Sequence, residues 1–578
     1  MIFVMRHLRS SGMKARLPAG MCKAALRALV MAQCALAGVS IAQTPQKPAV
    51  DEQRFEIRRF LFEGASALPI ATLEEATRAF TGTDRTFADV QGALEAVEKA
   101  YTENGYSAIR VTLPEQALER GEVHFEIVEA KIGRILVEGN KYFERSNIVA
   151  SIPSVTPGGV PNIRAIARNL RVANESPAKQ TNILLRAREE ATVDALVRVT
   201  DEPYKRWSAT VDTAGTKETG RFRVGFGHQN ANMFDRDQVL TLQYVTAPHS
   251  ETDPNALSFF PSKRVFILGA GYRIPLYDSG DTIDVTAGYS NVGSGTVANL
   301  FTITGSGGLF GLRYTKNLDK IGNYEQRLVF SWDYRGYHNK GVRLLDGTTQ
   351  VVRDVTVHPV GVTYVGHVRR QDSESAFSFG FSKNLPGGND GTAADLCAPL
   401  TIDGVTPVPP VRSGGSGECA NASYFIWRWG LSHTQALASG WQARFAMNGQ
   451  ATRDILVTGE QFGLGGADSV RGFLEREISN DNGYRGTMEL YTPDIGGKTG
   501  VPALRMRALL FADWGALRRN RPLANEAHAQ HIGSIGVGVR LFRGTDLSLR
   551  VDYATVLDAG GGRGIHDDRI HASFSYVF

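Results

Sequence analysis

Between Gly459 and Arg485 the chain reads GEQFGLGGADSVRGFLEREISNDNGYR, a glycine-rich, charged segment set among regularly alternating stretches. At its centre stand Val470, Arg471, Gly472 and Phe473. An arginine keeps its proton in a protein and offers five donors in a planar fork, so the chemistry open to Arg471 is the charge-assisted grip of a fixed carboxylate. Gly463, Gly465, Gly466 and Gly472 give the backbone access to positive φ and to close approach, which lets the segment fold tightly and set the guanidinium where a straight strand could not. Two carboxylates follow, Glu489 in RGTMELYT and Asp513 in ALLFADWG. Taken alone, the segment reads equally well as a solvated surface loop with an exposed arginine. The elements around it decide.

Residues for covalent chemistry do not assemble. The chain has no Gly-x-Ser-x-Gly elbow, no His-Glu-x-x-His pair and no Cys-x-x-Cys, so no catalytic residue is assigned and an enzyme is not expected. Gly497-Lys498-Thr499 has the end of a phosphate loop, but Thr492 stands where its first glycine is needed. A formal charge of +5 over 578 residues indicates no polyanion partner, so nucleic acid is not expected. No cofactor and no metal are expected either.

The first residues carry the marks of export. Arg6, Arg9, Lys14, Arg16, Lys23 and Arg27 precede an apolar run from Ala28 to Ala42 that ends in small residues, a signal peptide over 1–42. That run is shorter than the roughly 20 residues a membrane-crossing helix needs, and no later run reaches that length. A short extension, 43–52, follows. Of four cysteines, Cys397 and Cys419 remain after the signal, both in one Gly/Pro/Ser-rich segment, and an exported chain with a single pair is expected to close a loop with it. Without nearby histidines the two thiolates leave a zinc site half empty.

From Glu202 onward the apolar period is two. Sixteen segments alternate apolar with polar between Gly/Asn/Asp turns: Lys205–Ala214, Gly220–Asn230, Gln238–Ala247, Arg264–Leu276, Asp281–Val292, Gly307–Asn317, Tyr324–Tyr337, Val355–Arg369, Ala376–Asn384, Ser423–Leu437, Trp441–Thr452, Tyr484–Thr492, Leu504–Gly515, Ser534–Arg543, Leu547–Val556 and Arg569–Phe578. A soluble sandwich seldom needs so many long strands, whereas an even-stranded closed barrel with lipid outside and a polar lumen leaves no backbone edge unpaired in the membrane. The 28 Phe and 18 Tyr suit its aromatic girdles. The fold class is therefore mainly β, a 16-stranded antiparallel transmembrane barrel over 204–578. Parity along Leu504–Gly515 sets Asp513 with Arg505, Arg507, Leu509 and Phe511 toward the lumen, and along Tyr484–Thr492 sets Glu489 with Arg485 and Thr487 there. The connections 248–263, 338–354, 385–422, 453–483 and 557–568 are long and are expected to face the cell exterior.

Ahead of the barrel, short strands mix with amphipathic helices in the order β-α-α-β-β, and the order occurs twice. Phe55–Gly64 is echoed by Ile132–Gly139, 75 residues later, which divides the segment into units 53–130 and 131–203. The order, the Tyr101-x3-Gly105-Tyr106 helix end, Leu113-Pro114-Glu115-Gln116 and Val137-Glu138-Gly139-Asn140 resemble the two periplasmic POTRA domains of two-partner secretion transporters. The family's Pro-Gly-x3-Gly turn is replaced here by Arg186 to Ala191.

Val470-Arg471-Gly472-Phe473 in a long sixth external loop, Gly486-x-x-Glu489 in the twelfth strand and Phe511-x-Asp513-x-Gly515 in the thirteenth are similar to the motifs of the POTRA-bearing translocase and insertase superfamily. Together they resemble the TpsB transporters of two-partner (type V) secretion, the haemolysin activation/secretion family. The resemblance implies an outer-membrane channel with POTRA domains in the periplasm. It implies a secreted exoprotein as partner, the lock Arg471–Asp513 with Glu489 as a second lumen carboxylate, and Phe578 as the signal read by barrel-assembly machinery after passage past periplasmic chaperones. A barrel-assembly insertase and a passive porin are the rival readings. Residues 43–52 are too few for the plug helix that relatives often carry, so the lumen is expected to be closed chiefly by the folded-in loop, or to be closed less well.

Overall fold

A computed structural model describes residues 53–578 apart from 117–119, 190, 216–220, 249–264, 292–294, 298–300, 304–305, 339–341, 344–348, 351–353, 398–399, 403–405, 409–418 and 523–525. The signal peptide and extension expected over 1–52 lie outside the described residues, as does most of the connection 248–263.

The first unit opens with β1 (Phe55–Ile57) and β2 (Arg59–Glu63), two strands where the sequence suggests one. The break falls at Arg58, where the amides of Arg58 and Arg59 both donate to the Gly121 carbonyl at 2.7 and 3.3 Å. Helix α1 (Ile70–Thr77) leads to β3 (Gly82–Arg85), which pairs with β1 and has no apolar signal of its own. Helix α2 (Phe87–Glu103) starts at a capping box, the Thr86 amide donating to Asp89 at 2.8 Å, and ends before Gly105 at φ 91°. Its Val90, Ala93, Val97 and Tyr101 recur at helical spacing and bury against Val123, Phe125 and Ile127 of the sheet. Each large apolar side chain so buried contributes about 2 kcal/mol. β4 (Ile109–Thr112) and β5 (Glu122–Glu129) complete a sheet of order β2-β5-β4, with β2 parallel to β5. The Glu129 carboxylate accepts the amides of Ser66 and Ala67 at 2.9 Å and the Tyr101 hydroxyl at 2.7 Å. Burial opposes its ionisation, yet these donors hold its pKa below the ordinary value.

The second unit repeats the layout with β6 (Lys131–Glu138), α3 (Arg145–Ala150), α4 (Ile163–Ala173), β7 (Lys179–Glu189) and β8 (Thr192–Asp201), in sheet order β6-β8-β7. Gly64 and Gly139 occupy equivalent places at φ 82° and 88°, and a Cβ on either would strike a carbonyl oxygen, of Ile127 at 2.3 Å or Val199 at 2.4 Å. The two units touch through Asn162, which caps α4 by accepting from the amides of Arg164 and Ala165 and donates its own amide to the Asn104 carbonyl at 2.9 Å.

The second unit docks on the end of the barrel. The Lys179 Nζ donates to Asp237 at 2.6 Å and to Asn147 at 3.0 Å, under the ring of Phe143, with both charged side chains buried. The Tyr277 hydroxyl gives Asp237 a second donor at 2.5 Å. Desolvation lowers the Lys179 pKa, and Asp237 opposes that shift. Asn169 donates to the Tyr277 carbonyl at 2.7 Å, and Arg171 to the Leu318 carbonyl at 2.6 Å.

The barrel strands are β9 (Lys205–Asp212), β10 (Arg223–Met233), β11 (Gln238–Thr246), β12 (Phe266–Leu276), β13 (Asp281–Ser290), β14 (Gly307–Asn317), β15 (Tyr324–Tyr337), β16 (Val355–Val357) with β17 (Pro359–Arg369), β18 (Ser373–Asn384), β19 (Phe425–Ala436), β20 (Gln442–Ala451), β21 (Asn482–Tyr491), β22 (Leu504–Arg518), β23 (Ala529–Arg543), β24 (Leu547–Asp558) and β25 (Asp568–Val577). All pairs are antiparallel and the ring closes between β25 and β9. The eighth strand is broken at His358, because Pro359 brings no amide donor and the His358 amide turns to the Asn384 side chain at 2.6 Å. The barrel thus has sixteen strands, one of them in two pieces. Beyond the closing ladder, Trp207 and Phe578 exchange backbone bonds of 2.8 Å in both directions. Leu510 and Met488 are exposed to the lipid side, while their neighbours Phe511 and Glu489 are buried inside. Among the described residues no helix is long and apolar enough to cross a membrane.

Candidate functional site

The connection between β20 and β21 folds back into the lumen as a short hairpin, Phe462–Leu464 paired with Ile478–Asn480. Gly465 and Gly466, at φ 107° and 106°, turn the chain at its inner end, and Gly472 at φ 97° aims the tip. Gly463 is not in the left-handed region. Its service is close approach, since a Cβ there would meet the Arg476 side chain at 2.8 Å. Leu464, Val470, Phe473 and Ile478 of the loop join Leu517, Ile532 and Val556 of the wall in one apolar cluster, which seats the loop before any charge is counted.

That seating brings Arg471 onto the inner wall, where it is 2% exposed. Its Nε and Nη2 donate to the two oxygens of Asp513 at 2.6 and 2.7 Å, a bidentate contact, and its backbone amide adds a third bond at 3.1 Å. Nη1 donates to Glu489 at 3.0 Å and Nη2 to the Thr487 hydroxyl at 3.1 Å. The flat face of the guanidinium lies over the ring of Phe511. The wall carries this set because Thr487 and Glu489 on β21 stand directly opposite Asp513 and Phe511 on β22.

Further groups complete the site, and local sequence gave no motif for them. Asp552 on β24 accepts from Arg540 at 2.7 and 3.0 Å and from Arg550 at 2.8 Å, and lies 3.7 Å from Arg471. Arg444 and Tyr491 donate to Glu489 at 2.8 and 2.9 Å. Arg550 reaches back to Asp468 in the loop at 2.6 Å. The Gly472 amide donates to His571 Nε2 at 3.0 Å, which makes that nitrogen the acceptor of a neutral ring. Four guanidinium groups, of Arg444, Arg471, Arg540 and Arg550, thus face four carboxylates, of Asp468, Glu489, Asp513 and Asp552. For the buried members, Arg471, Glu489, Asp513 and Asp552, pairing is required because an unpaired charge there would carry its full desolvation cost, whereas Asp468 is largely exposed. Asp552, Arg540 and His571 lie on strands read from the two-residue period, but their partnerships with a loop up to about a hundred residues away are visible only in three dimensions. Two glycines make room for them. A Cβ at Gly536 would meet the Phe511 ring at 2.4 Å, and one at Gly538 the Asp552 carboxylate at 2.1 Å.

Beside the tip the lumen keeps a cavity of about 540 Å³ lined by Ser378, Ser432, Asn448, Arg485 and the Arg471 cluster. The Thr487 hydroxyl donates to Asp513 at 2.5 Å, so it serves the same carboxylate that holds Arg471, and the loop tip is seated in a polar lumen. Toward the outside, Cys397 and Cys419 are joined, with Cα atoms 5.3 Å apart, and their neighbours Leu396 and Ala420 are buried. Phe578 is two-thirds exposed at the end of β25.

Residues 393–541 match the family described as haemolysin secretion/activation protein ShlB/FhaC/HecB, and residues 55–130 match the POTRA domain of ShlB type. Among curated proteins, the heme/hemopexin transporter protein HuxB of Haemophilus influenzae is 19% identical over 83% of this chain and 79% of its own length. The outer membrane transporter CdiB of Dickeya dadantii is 22% identical over 86% of this chain and 83% of its own. The solved structure of CdiB from Escherichia coli superposes with a TM-score of 0.67 at 18% identity, covering 94% of each chain.

Proposed function

We infer that this chain, a TpsB-type outer-membrane transporter of the two-partner secretion family, carries an unfolded partner exoprotein from the periplasm to the cell surface, without ATP and without covalent chemistry. The observation that carries this reading is the loop folded into a closed barrel and anchored by Arg471 on the wall, directly outward of two periplasmic α/β units. A channel with a stopper and a receiver on its inner side fits a polypeptide cargo better than a passive solute.

The roles of the parts follow from that. Residues 1–42 direct export and are removed, 43–52 form a short extension, 53–130 and 131–203 are POTRA domains, and 204–578 is the channel. The edge strands β2 and β4 of the first unit suit the addition of a strand from the partner's N-terminal segment, whereas in the second unit Ile132 of β6 already bonds Gly158 and Gly159, and Thr181 of β7 bonds the Asn174 side chain. Arg471, Asp513 and Glu489 hold the loop inside, and its release opens the pore. Periplasmic chaperones and barrel-assembly machinery that reads Phe578 deliver the chain to its membrane. The rival insertase reading calls for a first-to-last seam that parts, whereas here the ladder of β25 with β9 is continued by the reciprocal bonds of Trp207 and Phe578.

Deletion of the gene should remove one large protein from the culture medium, and residues 53–202 should bind the N-terminal fragment of that protein in calorimetry. Binding of nascent barrel proteins instead, with no loss from the medium, would assign the chain to barrel assembly.

A further inference from the structure

We propose that Glu460 is a second, independent anchor of the plug loop, a positioning residue that fixes the outer stalk of the loop as Arg471 fixes its tip. The proposal rests on the reading of the loop as a stopper and adds to it where the stopper is held.

Glu460 sits where the loop enters the barrel, 2% exposed, and all of its oxygens are engaged. One carboxylate oxygen accepts from Arg335 Nη1 at 2.7 Å and from the Tyr337 hydroxyl at 2.8 Å, both on β15. The other accepts from Arg428 on β19 at 3.3 Å, and the backbone carbonyl accepts from Gln450 on β20 at 3.0 Å. Arg335 is held in turn by Asp333 at 2.7 Å and Arg428 by Gln450 at 2.9 Å, so the two cations are fixed before Glu460 arrives. The preceding residue must be small, because a Cβ at Gly459 would meet the Tyr337 ring at 2.3 Å.

The surroundings are as closed as the contact. Ile455, Leu456 and Val457, just before Glu460, pack with Val355, Leu396 and Tyr424 into an apolar cap, and the Leu456 amide donates to Asp481 on the returning limb at 3.0 Å. A buried carboxylate is held in such a place by the cations it pairs with, here Arg335, which it shares with Asp333, and Arg428. The tip grips β21 to β25, whereas the stalk grips β15, β19 and β20, so the two anchors draw on different parts of the wall.

The test is hydrogen exchange on the full-length protein in detergent or bilayer, with heat-modifiable migration as the check that each barrel is folded. Glu460→Gln should speed exchange of the amides over 455–461 at least tenfold while the tip, 467–475, stays protected. Arg471→Ala should do the reverse. Glu460→Asp, which keeps the charge, should restore most of the protection, an effect that simple loss of packing would not give. The anchor is refuted if Glu460→Gln leaves 455–461 unchanged, if stalk and tip loosen only together in either variant, or if Glu460→Asp exchanges as fast as Glu460→Gln. None of these readouts depends on cargo. Secretion measured in the same strains tests the transport reading separately: a loosened stalk with unaltered secretion would leave the anchor standing and remove the stopper role.

Discussion

The guanidinium carbon of Arg471 stands 3.4 Å from the centre of the Phe511 ring, so one face of the cation is covered by a π surface while its edge is taken up by carboxylates. Such a contact is worth about 2 kcal/mol when desolvated. Phe511→Leu keeps apolar volume but removes the ring. It is expected to leave the Asp513 contact in place and to raise the frequency of channel openings to a level between that of the native protein and that of Arg471→Ala, read in single-channel recordings.

Arg471→Ala and Asp513→Ala should each reduce secretion and alter conductance in a folded, heat-modifiable barrel. Breaking one side of a buried pair costs about 3–5 kcal/mol, less where lumen water screens the survivor. Because both changes remove one contact, the double variant should be little worse than either single one. Fully additive defects in a double-mutant cycle on conductance would contradict the shared contact.

The alternation that set Asp513 and Glu489 inward was legible in the chain, since a two-residue period survives wherever one face meets lipid and the other a polar lumen. Strand ends were less so. β23 begins at Ala529, not Ser534, because its outer residues rise beyond the lipid, where apolar alternation is no longer required. β3 was invisible for a different reason: Gly82 to Arg85 becomes a strand only through its pairing with β1. Arg471, Asp513 and Glu489 could be named from their surroundings, but Glu460, Arg540, Arg550 and His571 could not. Each is an ordinary polar residue until the fold brings its partner across the lumen.

Lys179→Ala should loosen the second α/β unit from the barrel, because it leaves the Asp237 carboxylate buried with the Tyr277 hydroxyl and no cation, a loss of about 3–5 kcal/mol. Lys179→Met combined with Asp237→Asn should recover most of it. Asparagine also tolerates the φ of 55° at that position, which a branched apolar residue would not. Hydrogen exchange of the turn 232–237 measures both effects.

Glu129 makes the first POTRA unit acid-sensitive. Its folded pKa lies below the unfolded one, so its contribution to stability is complete above the ordinary carboxylate value of about 4.3 and is lost as pH falls through the folded value. The apolar core of residues 57–127 is built from that unit alone, so a fragment spanning 53–130 can be melted by itself. Glu129→Gln should cost about 1.5–3 kcal/mol at neutral pH and flatten the dependence below about pH 4.3 in thermal denaturation.

Replacing both Cys397 and Cys419 by serine removes the closure of a segment with a sequence separation of 22, worth about 3 kcal/mol in the chain-entropy account. The fifth external loop should then be cut faster by added protease on intact cells, with barrel migration in gels unchanged.

The grip of Arg171 on the Leu318 carbonyl has a mechanical meaning once β15 is followed outward. That strand leaves the turn Arg171 holds and runs 14 residues, about 44 Å end to end at 3.4 Å per residue, to Arg335 and Tyr337, where it meets Glu460. One length of backbone therefore spans from the docked second unit to the stalk of the folded-in loop, like a tie rod through the wall of a cylinder. A load that tilts the second unit would pull on the inner end of that rod, and its outer end is fastened to the loop.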